Sequence, residues 1–383
     1  MASNPPLVEA SRPTRSAASI LALCILVACG QAPGPATEAE TTADVAAPTD
    51  PLGGEPAGAI TLEPVDVGTE SLLQAVSAPS ADIVWLSGHE GTWARSVDGG
   101  TTWTTGVVPG YEDFQFRDVQ GFTAQHAVLM SAGPGAASRI LRTADGGATW
   151  EEVFRMDHPE GFLDCMDFWD VERGLVYGDA VEGDLYLLLT QDGGRSWERI
   201  APDRLPPALE GEGGFAASGS CVDAGSGGRA WVVTGNAAES RLLETENDGE
   251  SWRVSALPLA AGMGRGATTV GFRPDGMGFA LGGDLDPEGE GPRVALSADR
   301  GASWSAVGDL TMAGAVYGAA WAPGLDATTV VAVGPGGLDF SLDGGMRWLS
   351  ADTASYWAVG FSSPTRGWAV GPGGRVTRIV VRP

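Results

Sequence analysis

The sequence predicts an all-β, seven-bladed β-propeller, on three observations. One octapeptide recurs six times, apolar runs of strand length precede its copies, and a glycine-rich composition leaves no long amphipathic helix to be read. The octapeptides are Ser96-Val-Asp98-Gly-Gly100-Thr-Thr-Trp103, Thr143-Ala-Asp145-Gly-Gly147-Ala-Thr-Trp150, Thr190-Gln-Asp192-Gly-Gly194-Arg-Ser-Trp197, Thr245-Glu-Asn247-Asp-Gly249-Glu-Ser-Trp252, Ser297-Ala-Asp299-Arg-Gly301-Ala-Ser-Trp304 and Ser341-Leu-Asp343-Gly-Gly345-Met-Arg-Trp348. Their starts lie 47, 47, 55, 52 and 44 residues apart, the length of one four-stranded blade.

Each octapeptide reads as a hairpin turn between the third and fourth strands of a blade. The Asp or Asn caps the turn through backbone N–H groups, a Gly takes positive φ, and the Trp fills the gap between neighbouring sheets. Short apolar runs ending in Gly, such as Ala81–Gly88, Arg229–Gly235 and Arg366–Gly371, suit buried strands. After the sixth octapeptide three strand-like runs remain, Tyr356–Phe361, Gly367–Val370 and Arg375–Val381, a blade short of its fourth strand. Ala59–Val67 is the candidate for that strand, so the two ends of the chain would pair and close the ring, removing its open edges. The alternative is six blades with a C-terminal appendage.

Ahead of the ring, Arg12 and Arg15 precede the apolar run Ile20–Ala28. Nine residues are too few to span a bilayer, which takes about 20, and the run reads as a secretory signal over residues 1–28. Leu26-Val27-Ala28-Cys29 resembles a bacterial lipobox, which makes Cys29 the lipid-anchor candidate; an ordinary signal peptide with an incidental Cys29 is the alternative. Residues 29–58, rich in Ala, Pro, Thr and Glu without a base or an aromatic, read as a disordered tether. Residues 59–383 are the propeller. The expected location is therefore that of an exported lipoprotein, on the periplasmic side of the outer membrane or at the cell surface.

Charge narrows the partners. All 23 basic residues are arginine, against 49 acids, for a net charge of −26, so no basic face exists to neutralise nucleic-acid phosphates. No G-x-G-x-x-G follows a strand in a βαβ unit, no His-x-x-x-His or Cys-x-x-Cys occurs, and no cofactor or metal is expected. The acidic loop Asp284–Gly291 lacks the EF-hand spacing. His89, His126 and His158, the chain's three histidines, read as loop residues.

Alignment of the seven inner strands on their last apolar residue puts Leu72, Asp118, Asp164, Ser220, Thr268, Tyr317 and Trp357 at one level, facing the channel mouth. Arg117 and Tyr356 lie on the neighbouring level, and Tyr111, His158 and Arg265 on the loops leading in. The candidate binding rim is Tyr111, Arg117, Asp118, Asp164, Arg265, Tyr317, Tyr356 and Trp357, set against a reading in which these are solvated channel residues. The same alignment puts Cys165 and Cys221 level in adjacent blades, within Cys165-Met-Asp167 and Cys221-Val-Asp223. Three states are open to them: a disulfide, buried free thiols, or a Cys2Asp2 metal site.

The octapeptides resemble Asp-box (bacterial neuraminidase) repeats. With Phe116–Val119, Gly133–Arg139, Gly214–Cys221 and Gly334–Gly337, they make residues 59–383 resemble the photosystem II stability/assembly factor-like propellers, whose bacterial members are often labelled oxidoreductase or glycosyl hydrolase. The resemblance implies a scaffold for assembly intermediates of a membrane complex, with no chemistry of its own. It also implies an arginine-rich patch, from which this acidic chain departs. The expected function is a membrane-tethered extracytoplasmic scaffold for envelope or membrane-protein partners, active as a monomer. The alternative is a glycan-binding protein or a glycoside hydrolase of sialidase-like architecture. Against a sialidase stand the absent Arg-Ile-Pro motif of the first blade, a tyrosine count of five, and seven blades rather than six.

Overall fold

The computed structural model describes residues 59–324 and 328–382; the signal segment, the tether and Cys29 lie outside them. Seven antiparallel four-stranded sheets form the ring. Their inner strands are Leu73–Ser77, Phe116–Gly121, Leu163–Phe168, Val222–Ala224, Arg265–Phe272, Gly318–Trp321 and Ala358–Ser363, here numbered as blades 1 to 7. Helical structure among the described residues is confined to three short 3₁₀ turns.

Blade 7 is built from both ends of the chain. Ile60–Val65 pairs antiparallel with Val376–Val381, from Ile60 opposite Val381 to Val65 opposite Val376, and the Arg382 N–H donates to the Ala59 carbonyl at 2.8 Å. This is the place a seventh octapeptide would occupy. Strand directions alternate within each blade, so the octapeptide turns lie at one end of the ring and the blade-to-blade connections at the other. The chain thus enters and leaves the ring at the octapeptide end.

The octapeptides share one hydrogen-bond scheme. In the first, Ser96 Oγ donates to Asp98 Oδ1 and accepts the Gly100 N–H, while Asp98 Oδ1 accepts the N–H groups of Thr101 and Thr102. Gly100 has φ +78°, and a Cβ there would lie 1.9 Å from the Trp368 ring, so the turn needs glycine for space as well as for conformation. Trp103 stands edge-on to Trp368 of blade 7, and Trp150 edge-on to Trp93 of blade 1. In both cases the octapeptide Trp seals a blade against its neighbour. Trp85 and Trp368 are wholly buried, each removing enough apolar surface from water to contribute about 3 kcal/mol.

Near the axis the blades are joined by polar side chains. The carboxylate Oδ2 atoms of Asp118, Asp167 and Asp223 accept the N–H groups of Met166, Ala224 and Phe272 in the next blade, at 2.6, 2.7 and 2.6 Å. Ser77 and Thr269 hydroxyls serve Gly121 and Ala319 in the same way. Each inner strand is the edge of its sheet, so its axis-facing N–H groups have no sheet partner, and an unpaired buried donor costs about 1–3 kcal/mol.

Candidate functional site at the channel mouth

The inner strands of blades 1, 2, 3 and 5 slip register near their starts, at Leu73/Ala75, Phe116/Asp118, Leu163/Cys165 and Ala267/Thr269. Each slip is a β-bulge, which re-aims the extra residue. The bulged residues are Gln74, Arg117, Asp164 and Thr268. This corrects the sequence alignment in two blades: Gln74 replaces Leu72, and Arg117 replaces Asp118.

Arg117 is the central cation of the mouth. Its Nε and Nη2 donate to Gln115 Oε1 at 3.0 and 2.6 Å, and its Nη1 donates to the Ala216 carbonyl at 3.3 Å. Burial pulls its pKa down and the Asp164 charge pushes it back up. In blade 1, His89 Nε2 lies 2.5 Å from Gln74 Oε1, and Ser71 Oγ donates to Glu90 Oε2 at 2.5 Å. Burial first, and then the Arg117 charge, lower the His89 pKa, which favours the neutral ring. Across the mouth, Tyr317 and Trp357 form a half-buried tilted pair, with ring centroids 4.8 Å apart.

Asp164, 1% exposed, faces Asp179 of the same blade. Burial raises the pKa of Asp164 well above the usual carboxylate range, and the Asp179 charge adds to the shift. Burial raises Asp179 as well, while its Oδ1 accepts the Gly214 N–H at 3.0 Å. Two buried carboxyl groups in this position disfavour carrying two charges at once, and Asp164 is the more strongly raised of the two. Beside them Arg241 and Glu212 form a buried ion pair, which Thr234 Oγ1 completes with a hydrogen bond to Glu212 Oε1 at 2.8 Å.

Other residues of the expected rim lie elsewhere. Asp118 is buried and spent on the Met166 N–H, which removes it from the rim. Tyr356 is also removed: it is 1% exposed, and its hydroxyl donates to Asp352 at 2.7 Å and lies 3.1 Å from Thr377 Oγ1. Tyr111 sits outside the channel, its hydroxyl on Glu152 at 2.7 Å and its ring beneath Arg139. Arg265 is half-exposed and paired with Asp284 at 2.5 Å, which engages the acidic loop from within the protein. Among the described residues no three His, Cys, Asp or Glu side chains converge as a metal site requires. Asp167 and Asp223 are directed to backbone N–H groups rather than to a cation, and Cys165 and Cys221 are joined as a disulfide with Cα atoms 5.7 Å apart.

Between the third and fourth blades, Gly213–Ser220 crosses the channel. It leaves blade 4, where Gly213 bridges Gly235, and touches Arg117, Asp118 and Asp179 on one side and Tyr317 on the other. Seven of its eight residues are buried, although none belongs to a strand. Sequence reasoning missed this segment as a structural element. The available signal was the 55-residue spacing of the third and fourth octapeptides, eight more than the two before it.

Fold and mouth together define a seven-bladed propeller with a polar, aromatic-edged axial opening. Its likeness to solved structures is clear: YCF48 bound to a D1 peptide has a TM-score of 0.60 at 19% identity, over 84% of this chain and 97% of that one. YCF48 from Cyanidioschyzon merolae gives 0.59 at 18% identity, over 83% and 98%. The GH74 xyloglucanase of Xanthomonas campestris gives 0.57 at 14% identity, over 83% of this chain and 53% of that one. No family model matches the sequence, and no curated protein matches it.

Proposed function

We propose that the protein is a membrane-tethered propeller scaffold, anchored through Cys29, whose channel-mouth end binds a segment of an envelope or membrane-protein partner. The observation that carries this reading is the likeness, over nearly the whole ring, to a propeller with a peptide bound. The mouth has the chemistry such a role needs: a guanidinium for carbonyl or carboxylate groups at Arg117, and an aromatic pair for apolar contact at Tyr317 and Trp357. Because the chain enters the ring at the octapeptide end, a tether to the membrane leaves the mouth at the opposite end of the ring. No reaction is assigned to it.

A glycan-directed role is the second reading, supported by the fold shared with a xyloglucanase and by the Asp164–Asp179 pair. That pair is a poor general acid and base for a polymer, since Gly214 packs so closely on Asp164 that a Cβ there would come within 2.7 Å of it.

In-cell crosslinking followed by purification from detergent-solubilised envelope tests the scaffold reading, with Cys29→Ser as the unanchored control. A stoichiometric membrane-protein partner, depleted in the control and lost in Arg117→Ala, is the expected result. Capture of no protein, together with binding of xyloglucan or an envelope glycan by the soluble ring, would replace it with the glycan reading.

A further inference from the structure

Gly213–Ser220 occupies the same ground a partner would need, and it is held there through main-chain contacts. Arg117 donates to the Ala216 carbonyl, Asp179 accepts the Gly214 N–H, and Ser218 Oγ donates to the Tyr317 carbonyl at 2.7 Å. Space as well as polarity fixes the residue types. A Cβ at Gly214 would stand 2.7 Å from the Asp164 carboxyl, and one at Gly219 would stand 2.3 Å from Asp118 Oδ1. The only large side chain is Phe215, whose ring lies over Gly235 and Gly266 at the blade 4 entrance. Ala216, Ala217 and Ser218 keep 6–8% exposure, which places them at the solvent boundary rather than in the core. The next residue after the segment, Cys221, is bonded to Cys165, itself adjacent to Asp164.

We propose that Gly213–Ser220 is an internal occupant of the partner-binding mouth, kept seated by the Cys165–Cys221 bond, and that a partner's extended segment of small residues binds by taking its place. The proposal rests on the mouth being the partner site. Its physical logic is competition at high effective concentration: a tethered segment outcompetes a free one until its anchorage is loosened. The bond fixes the C-terminal pivot of the segment to blade 3. Gly213 and Gly219, the latter at φ +76°, are the positions about which it would swing.

The test uses the soluble Cys29→Ser protein and a labelled peptide of the segment's own sequence, GGFAASGS. Hydrogen exchange in the disulfide-bonded protein should protect the Gly213 and Gly214 amides, which donate to the Gly235 carbonyl and to Asp179. Cys165→Ala/Cys221→Ala should accelerate exchange there at least tenfold while Phe116–Gly121 stays protected. Gly219→Ala, with the bond intact, should do the same by crowding Asp118, which keeps the test open if the cysteine variant fails to fold. Both variants should bind the peptide at least tenfold more tightly than the parent, and adding Arg117→Ala should abolish that binding.

Fast exchange of Gly213 and Gly214 in the bonded parent, or no acceleration in either variant, would overturn the proposal. So would peptide binding by the parent equal to that of the opened variants. A crosslinked partner captured equally by bonded and opened forms, and still dependent on Arg117, would sink the gate and leave the mouth reading standing. A partner indifferent to Arg117 would sink both.

Discussion

Asp223 in the inner ring and Asp145 in an octapeptide turn are the same side chain in two solvents. Each accepts backbone N–H groups, yet they titrate in opposite directions. Asp223 is largely withdrawn from water, and burial, helped by the Asp167 charge, pushes it up to about 7. Asp167 rises to about 6 for the first of these reasons. Asp145 lies in water, and the hydroxyl and N–H of Thr149 bring it down to about 2. Asp98 is held at about 2 by Thr102 in the same way. A hydrogen-bonded carboxylate is thus no guide to its own charge: at one end of the blade water solvates the anion while the donors add to it, and at the other a single donor replaces the whole hydration shell.

The largest expected effect breaks this comparison at its buried end. A carboxyl whose native pKa exceeds its unfolded value stabilises the fold below the unfolded value and loses that contribution as pH rises through the native one. Asp223 and Asp167 should therefore make the ring less stable as pH climbs from about 4 to 8, by about 4 and about 3 kcal/mol. The turn aspartates act oppositely, losing their contribution only as pH falls below about 4, so stability should peak near pH 4. Asp223→Asn keeps an acceptor for the Phe272 N–H and removes the charge. Denaturant melts at pH 5 and pH 8 should show its share of the slope gone and the variant more stable than the parent at pH 8. An unchanged slope would mean that water reaches Asp223.

The second effect is also at the inner ring. The Cys165–Cys221 bond closes a loop of 56 residues and should contribute about 4 kcal/mol by restricting the unfolded chain. The unreduced, denatured body should titrate no free thiol, and reduction should lower its midpoint in denaturant by that amount. Two free thiols would remove the lock on which the closed mouth depends.

The two ends also differed in how legible they were. The octapeptides repeat their residues because each turn is local, four to seven hydrogen bonds within eight residues, so the blade count and the ring closure through Ile60–Val65 could be read directly. The mouth is built from contacts between blades, and its residues do not repeat. Bulges at Gln74 and Arg117 displaced the alignment by one or two positions, which is why Asp118 was taken for a rim group when it holds blade 2 to blade 3. Tyr356 was misplaced for a related reason: one residue along a strand reverses the face, and its hydroxyl goes to Asp352 rather than to the channel. Nothing local announced that Ala216 would meet Arg117 from 99 residues away.

The smallest effect sharpens the comparison at its exposed end. Asp192 accepts the N–H groups of Arg195 and Ser196, the Ser196 hydroxyl and the Thr190 hydroxyl, the same arrangement by which a helix N-cap satisfies loose donors. Arg195 and Ser196 are exposed and only Thr190 is buried, so in Asp192→Ala water replaces most of what is lost, and the cost should be about 1 kcal/mol despite four broken hydrogen bonds. Asn247 shows what the turn minimally requires. Its Oδ1 accepts the Ser251 N–H and the Thr245 hydroxyl, while its Nδ2 donates to Ser251 Oγ, so a neutral side chain completes the turn. Asp192→Asn should therefore recover most of the alanine loss at pH 7, and its remaining gap from the parent should narrow as pH falls below about 4. If Asp192→Ala costs as much as removing an inner-ring carboxyl, the turns stabilise the ring through more than their own hydrogen bonds, and the contrast between the two ends of the blade falls.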